Sequence, residues 1–137
     1  MRPATKLAIG APTPDYWRGR RVLLTGHTGF KGAWLSLWLE RMGAAVTGLA
    51  LPDETGGLYS SVRHWHGMTS MTGDLRDAEA VRIAVAVADP EVVIHMAAQS
   101  LVRRGYAEPA ATFAINVQGT VNLLEGLTGR ADRKSVV

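Results

Sequence analysis

Gly26, Gly29 and Gly32 stand three apart in the segment Thr25-Gly26-His27-Thr28-Gly29-Phe30-Lys31-Gly32, between the apolar run Val22-Leu23-Leu24 and the apolar stretch Ala33-Trp34-Leu35-Ser36-Leu37-Trp38-Leu39. Glycines at this spacing, where a strand turns into a helix, can cradle an anion. The first permits a tight turn, the second lets backbone approach phosphate oxygens, and the third lets the new helix lie close to the sheet. Amide hydrogens at the helix start and the helix dipole then favour a dinucleotide pyrophosphate. Glycine spacing alone also suits ordinary loops and bulges; the strand before it and the helix after it select the nucleotide reading.

Two further groups fall just past the C-terminal ends of strands, where open parallel sheets keep their ligands. Gly73-Asp74-Leu75 offers a carboxylate able to accept a hydrogen bond from an adenine amino group, and Ala97-Ala98-Gln99-Ser100 offers small residues that let backbone pass close to a ribose or nicotinamide. Taken singly, Asp74 is as readily a turn aspartate and Ala97-Ala98 as readily ordinary packing. Their joint occurrence at one end of a sheet favours a site.

The elements that must position these residues alternate between short apolar runs and helical periodicity, which predicts an α/β fold: a Rossmann-like, doubly wound parallel sheet, truncated at the start of its fifth strand. Strands are expected at residues 21–25, 45–51, 68–73 and 91–96, with Ser135-Val136-Val137 opening another. A helix over about 29–42 carries Phe30, Trp34, Leu37 and Trp38 at helical spacing, which predicts a core-facing stripe, and Gly43 is suited to end it. Asp77 can cap a helix over 78–88, and Asp89-Pro90 breaks it. A long helix over about 109–127 has Pro109 in its first turn, Phe113, Val117, Val121 and Leu124 on one face, and Gly129 as its stop. Residues 53–67 read as an irregular surface loop. His64 and His66 flank Trp65 there without a third ligand nearby, so no metal site is expected. With the order 3-2-1-4, the fourth strand would be an open edge, which predicts marginal stability or self-association.

Composition bounds the remaining classes. The 137 residues are 47% hydrophobic, enough for one domain with a real core. The absence of cysteine removes disulfides and thiolate metal sites and fits a reducing cytoplasm. No apolar run approaches the roughly 20 residues of a membrane span. Residues 1–15 read as a flexible N-terminal tail, because Leu7-Ala8-Ile9-Gly10 is too short an apolar core for export. The net charge of +3 comes from scattered basic residues with no aromatic interleaving, which speaks against a nucleic-acid partner.

At these motifs the sequence resembles the extended short-chain dehydrogenase/reductase superfamily, whose members act on nucleotide-sugars. Within it, Gly26-His27-Thr28-Gly29-Phe30-Lys31-Gly32, Trp34-Leu35, Val93-Ile94-His95-Met96-Ala97-Ala98-Gln99, Leu101-Val102-Arg103-Arg104 and Asn116-Val117-Gln118-Gly119-Thr120-Val121-Asn122-Leu123-Leu124-Glu125 are similar to the CDP-glucose 4,6-dehydratase family, from about residue 16 onward. His27 and Lys31 are the discriminating pair. The resemblance implies a cytoplasmic, redox-neutral lyase that holds NAD and converts CDP-glucose to CDP-4-keto-6-deoxyglucose, homodimeric at full length through the helix over 109–127. It implies Gly26, Gly29, Phe30, Lys31 and Gly32 around the pyrophosphate, and Asp74 and Leu75 beside adenine. Ala97, Ala98 and Gln99 would lie along ribose and nicotinamide, and Ser100 against the hexose.

Some positions depart from that pattern. Ala50 ends the second strand, where NAD enzymes often place an acidic residue, with Asp53 three residues later, so NAD against NADP stays open. Ile115 stands in place of a usual threonine and Gly105 in place of a usual serine. The superfamily's base is a tyrosine four residues before a lysine, but Tyr16 is followed by Arg20, Tyr59 by Arg63 and Tyr106 by Ala110. No catalytic residue is therefore assigned, and His95, within a strand, reads as a structural histidine. Residues 16–137 read as the N-terminal part of an NAD-binding domain, without the substrate domain and inactive by itself. Two alternatives stay open: another extended reductase, such as a sugar-nucleotide epimerase or GDP-mannose dehydratase, and a non-catalytic dinucleotide-binding module.

Overall fold

Arg21–Thr25 forms β1, a strand with Val22, Leu23, Leu24 and Thr25 all buried, as a strand covered on both faces must be. In the computed structural model, which describes residues 13–53, 56–63, 67–129 and 135–136, β1 lies at the centre of a five-stranded sheet. β2 (Ala45–Ala50) and β4 (Val92–His95) pair with it in parallel, placing Val22 beside Val46 on one side and Leu23 beside Val93 on the other. β3 (Thr69–Thr72) continues beyond β2 and β5 (Ser135–Val136) beyond β4, giving the order β3-β2-β1-β4-β5. This is the expected Rossmann-like topology. The fourth strand is not wholly open: Ser135 and Val136 pair with Val92 and Val93.

Parallel neighbours require crossovers, and helices supply them on both faces. α2 (Phe30–Arg41) covers the face carrying Val22, Leu24, Val46 and Val92. α4 (Ala78–Ala88) and α7 (Gly119–Leu127) cover the other, packing Val81, Val85, Leu123 and Leu127 on Leu23, Leu49 and Val93. Asp77 caps α4 as anticipated, its carboxylate accepting the amides of Glu79 and Ala80. A first short helix, α1 (Pro14–Trp17), begins inside the stretch read as a tail; residues 1–12 lie outside the described residues, as do His64, Trp65 and His66.

Three helical expectations need correction. On α2, Leu37 is buried, but Phe30, Trp34 and Trp38 are 70%, 52% and 55% exposed. The buried side holds Gly32, Ala33, Ser36, Leu37 and Leu39 instead. The cause is the contact at Gly32, which seats that residue on the β1 turn. At about 100° per residue, Ser36 and Leu39 then follow Gly32 toward the sheet and the aromatic line faces outward. The expected helix over 109–127 is α6 (Pro109–Phe113), a π turn (Ala114–Gln118) and α7. Phe113, Val117, Val121 and Leu124 are all exposed, while Gly119, Asn122, Leu123 and Leu127 are buried. Finally, α3 (Leu58–Val62) and α5 (Val102–Ala107) occupy segments where no helix was expected. Both are about a turn long, too short to leave a periodic signature.

The α2 rotation has a direct test in denaturant unfolding. Trp38→Gln is expected to change stability by less than about 1 kcal/mol, whereas Leu39→Ala, at a fully buried position, should cost about 2–5 kcal/mol.

Candidate functional site

At Gly26 and Gly32 the β1–α2 turn makes contacts that only glycine allows. Gly26 has φ +78°, and a Cβ there would stand 2.8 Å from the Ala97 nitrogen. A Cβ on Gly32 would lie 2.0 Å from the Gly26 carbonyl oxygen, and one on Gly29 would lie 3.3 Å from it. The Ala33 amide makes the first intrahelical bond, to the Gly29 carbonyl at 2.8 Å, so the amides of Phe30, Lys31 and Gly32 belong to the first turn, which has no intrahelical acceptor. These amides could hold a pyrophosphate.

His27 pins this turn from below. Its ring is fully buried, with Nε2 2.7 Å from the Ser70 hydroxyl on β3 and Tyr59 of α3 meeting it edge to face at 5.2 Å. Gly48 on β2 makes room for the ring, since a Cβ there would stand 2.4 Å from Nδ1.

A cavity of about 460 Å³ opens at the C-terminal ends of the strands, within the size range of small-molecule sites. Of the residues singled out by sequence, Gly26, Gly29, Asp74, Leu75, Ala97, Ala98, Gln99 and Ser100 line it together, joined by Thr28, Leu51, Arg104 and Ile115. Gly32 lies buried beneath. The side chains of Phe30 and Lys31 do not enter; they line a separate depression with Trp34, Leu35 and Trp38.

Each wall is tied in place. The Asp74 carboxylate accepts Arg76 Nε at 3.0 Å and the Arg76 amide at 2.9 Å. That guanidinium bond, outweighing partial burial, holds the acid below its usual range and keeps it an anionic acceptor. Leu75 is fixed by buried Asn122, whose Nδ2 donates to its carbonyl at 2.8 Å. Across the cavity, Asn116 in the π turn grips the backbone of Gln99 twice, accepting its amide at 2.8 Å and donating to its carbonyl at 3.0 Å. The Gln99 carboxamide is turned inward, accepting the Leu101 amide at 2.6 Å and donating to Thr112 at 3.1 Å. Thr25 accepts the amides of Met96 and Ala97. Sequence reasoning missed Thr25, Asn116 and Asn122 as supports. The readable signal was the pair Asn116 and Asn122 in a largely apolar helical stretch.

His95 is hydrogen-bonded at both ring nitrogens, to Thr25 and Thr120, as a structural histidine should be. Burial lowers its affinity for a second proton. The unfolded chain therefore takes up that proton first, near the ordinary value of 6.5, while the folded chain resists it. The stabilising contribution is complete above that value and is lost as pH falls toward the folded one. Denaturant midpoints measured across that window should fall on acidification, and His95→Gln should flatten the decline.

Tyr16 lies under the Arg20 guanidinium at 4.5 Å, Tyr59 packs on His27, and Tyr106 is 85% exposed. Among the described residues no group of three His, Cys, Asp or Glu could hold a metal, and no helix is long and apolar enough to cross a membrane.

This arrangement can be set beside known proteins. Residues 23–136 match the family model described as GDP-mannose 4,6 dehydratase. The chain is 51% identical over 124 residues to CDP-glucose 4,6-dehydratase of Salmonella typhimurium, covering 90% of this chain and 34% of that enzyme. It is 36% identical to UDP-glucuronate 4-epimerase 1 of Arabidopsis thaliana, over 78% of this chain and 26% of the other. The fold matches the crystal structure of Thermus thermophilus UDP-glucose 4-epimerase in complex with NAD, with TM-score 0.71 and 33% identity over 82% of this chain and 35% of that one. The chain thus spans about a third of the length of the Salmonella and Thermus proteins. The family match runs from within β1 through the glycine turn, both cavity walls and the other four strands, and the chain belongs to the GDP-mannose 4,6-dehydratase family of sugar-nucleotide dehydratases and epimerases.

Proposed function

We propose that this chain is the dinucleotide-binding part of a nucleotide-sugar dehydratase that converts CDP-glucose to CDP-4-keto-6-deoxyglucose with net loss of water, and that it is inactive alone. The observation that carries this reading is the convergence of the glycine turn, Asp74 and residues 97–100 on one cavity at the C-terminal edge of the sheet. CDP-glucose as substrate is supported by the 51% identity to the Salmonella enzyme.

NAD, when bound, supplies reversible hydride storage. The chain's own residues bind and orient it. Amides of the first α2 turn and the helix dipole hold the pyrophosphate, so Phe30 and Lys31 act through backbone, with the Lys31 charge adding attraction nearby. Asp74 accepts the adenine amino group, and Leu75 covers the ring. Ala97, Ala98 and Gln99 leave room for ribose and nicotinamide, and Ser100 faces the hexose. Asp53, three residues past the end of β2, accepts the Ser60 hydroxyl and is not among the residues lining the cavity, so NAD as the cofactor is supported by the similar Thermus epimerase in complex with NAD. The exposed apolar line Phe113, Val117, Val121 and Leu124 supports a homodimer at full length.

Calorimetric titration with NAD and NADP tests the cofactor. Saturable NAD binding, at least about tenfold tighter than NADP, is expected, and no binding of either would sink the reading. Turnover by the gene's full-length product tests the substrate: CDP-glucose should be consumed, with GDP-mannose and UDP-glucuronate left unchanged. Preference for UDP-glucuronate would favour an epimerase instead, a reading the Arabidopsis relative keeps in view.

A further inference from the structure

Thr25 and His95, the last residues of β1 and β4, stand side by side in the sheet, and their contact fixes the direction of each hydrogen bond around them. Thr25 Oγ1 accepts the Ala97 amide at 3.2 Å and shares the Met96 amide, 3.1 Å away, with the Thr25 carbonyl at 3.2 Å; the two amides together fill its acceptor positions. Its own proton therefore goes to His95 Nδ1, 2.6 Å away. A neutral ring accepting at Nδ1 carries its hydrogen on Nε2, and Nε2 lies 3.0 Å from Thr120 Oγ1, to which it donates. Thr120 donates in turn to the Asn116 carbonyl at 2.6 Å, and the Asn116 side chain grips Gln99. One chain of hydrogen bonds thus runs from the strand end beneath the glycine turn, through the ring, to the π turn that holds the opposite wall.

We propose that His95 is a positioning residue for the dinucleotide cavity: its singly protonated ring braces the Met96–Ala97 wall against the glycine turn, and a second proton on the ring releases that wall. The proposal rests on the reading of the cavity as a dinucleotide site. A second proton sits on Nδ1 and points at Thr25 Oγ1, whose acceptor positions are already taken. One of the two amide bonds to Oγ1 must then break; the Met96 amide keeps the Thr25 carbonyl as an acceptor, so the bond whose loss frees backbone is the one from Ala97. The wall and the turn are in direct contact, because the Ala97 nitrogen lies 2.8 Å from where a Gly26 Cβ would be, so displacing Ala97 changes the space that receives the ligand. The side chains bonded to the ring are uncharged: Thr25 from β1 and Thr120 from α7. Burial alone lowers the ring's proton affinity, with no contribution from a charged side chain among the described residues, so release occurs on the acid side of neutral.

Nitrogen NMR of the His95 ring, with amide exchange at Met96 and Ala97, tests this on the full chain from about pH 8 to about pH 5, with NAD titrated at each pH. The native chain should show the Nε2–H tautomer at high pH. Protection of the Ala97 amide should fall about tenfold in step with ring protonation, the worth of one hydrogen bond, while the Met96 amide, still held by the Thr25 carbonyl, changes less, and NAD affinity should fall with the Ala97 step. His95→Gln, whose carboxamide can accept from Thr25 and donate to Thr120, should keep the high-pH affinity within about threefold and lose the pH step. His95→Leu should bind about tenfold more weakly at every pH while keeping the native far-ultraviolet circular dichroism. Ala97 amide protection that persists through ring protonation, or a His95→Leu chain that binds NAD like the native one, overturns the proposal. Failure of the native chain to bind NAD at high pH instead overturns the dinucleotide reading, and amide exchange against ring protonation then decides the role of His95 by itself.

Discussion

Gly32→Val is expected to abolish dinucleotide binding and to leave little folded chain. A Cβ at this position would meet the Gly26 carbonyl oxygen at 2.0 Å, the Gly26 carbonyl carbon at 2.8 Å and His27 Cα at 2.9 Å. All three are backbone atoms of the turn itself, so no side chain can move aside to relieve the overlap. The helix must back away, and Ala33, Ser36 and Leu39 leave the sheet with it. Overpacking normally costs about 1–3 kcal/mol; rigid backbone on the far side places this variant at or above the top of that range. Gly29→Ala is the matched control. Its Cβ would come only within 3.3 Å of the Gly26 oxygen, so stability should drop by less than about 1 kcal/mol while the added methyl group obstructs the phosphates. Denaturant unfolding and NAD titration separate the two effects. Native stability in Gly32→Val would refute the claim that helix seating sets the turn.

Asn116→Leu should weaken NAD binding by about 10–100-fold with a smaller loss of stability, because it frees both backbone groups of Gln99 at once. An amide and a carbonyl left without partners cost about 1–3 kcal/mol each when buried, and Gln99 is only partly buried, so the lower end applies. The loop carrying Ala97 to Ser100 then loses its fixed position beside the cavity. Asn116→Asp should fall between native and leucine, since it still accepts the Gln99 amide but cannot donate to its carbonyl. Equal affinity in native and leucine chains would show that the wall is held by other contacts.

The position of Asn116 also explains why its role was hidden in the sequence. A regular helix over 109–127 was a fair reading of Phe113, Val117, Val121 and Leu124, which do share a face. The π turn inserts extra backbone between α6 and α7, and it is from this turn that Asn116 holds Gln99. Periodicity registers a stripe but not which side of it meets the sheet. The aromatic line of α2, expected to face the core, failed for that reason. Phe30, Trp34 and Trp38 have helical spacing, yet their direction is fixed by one contact between Gly32 and the Gly26 carbonyl, made with a turn several residues earlier.

The sequence by itself determined the order of the strands and of the longer helices, the glycine turn and many of the residues bordering the cavity, because these depend on local patterns: apolar runs, helix caps, and glycines where no Cβ fits. Only the tertiary structure decided which helix faces are buried, how Asn116, Asn122 and Thr25 hold the walls, and which hydroxyls His95 meets. Those features depend on contacts between residues such as Thr25 and His95, 70 apart in the chain. Contacts at that separation are set by how the helices seat on the sheet, and local residue spacing carries no record of them.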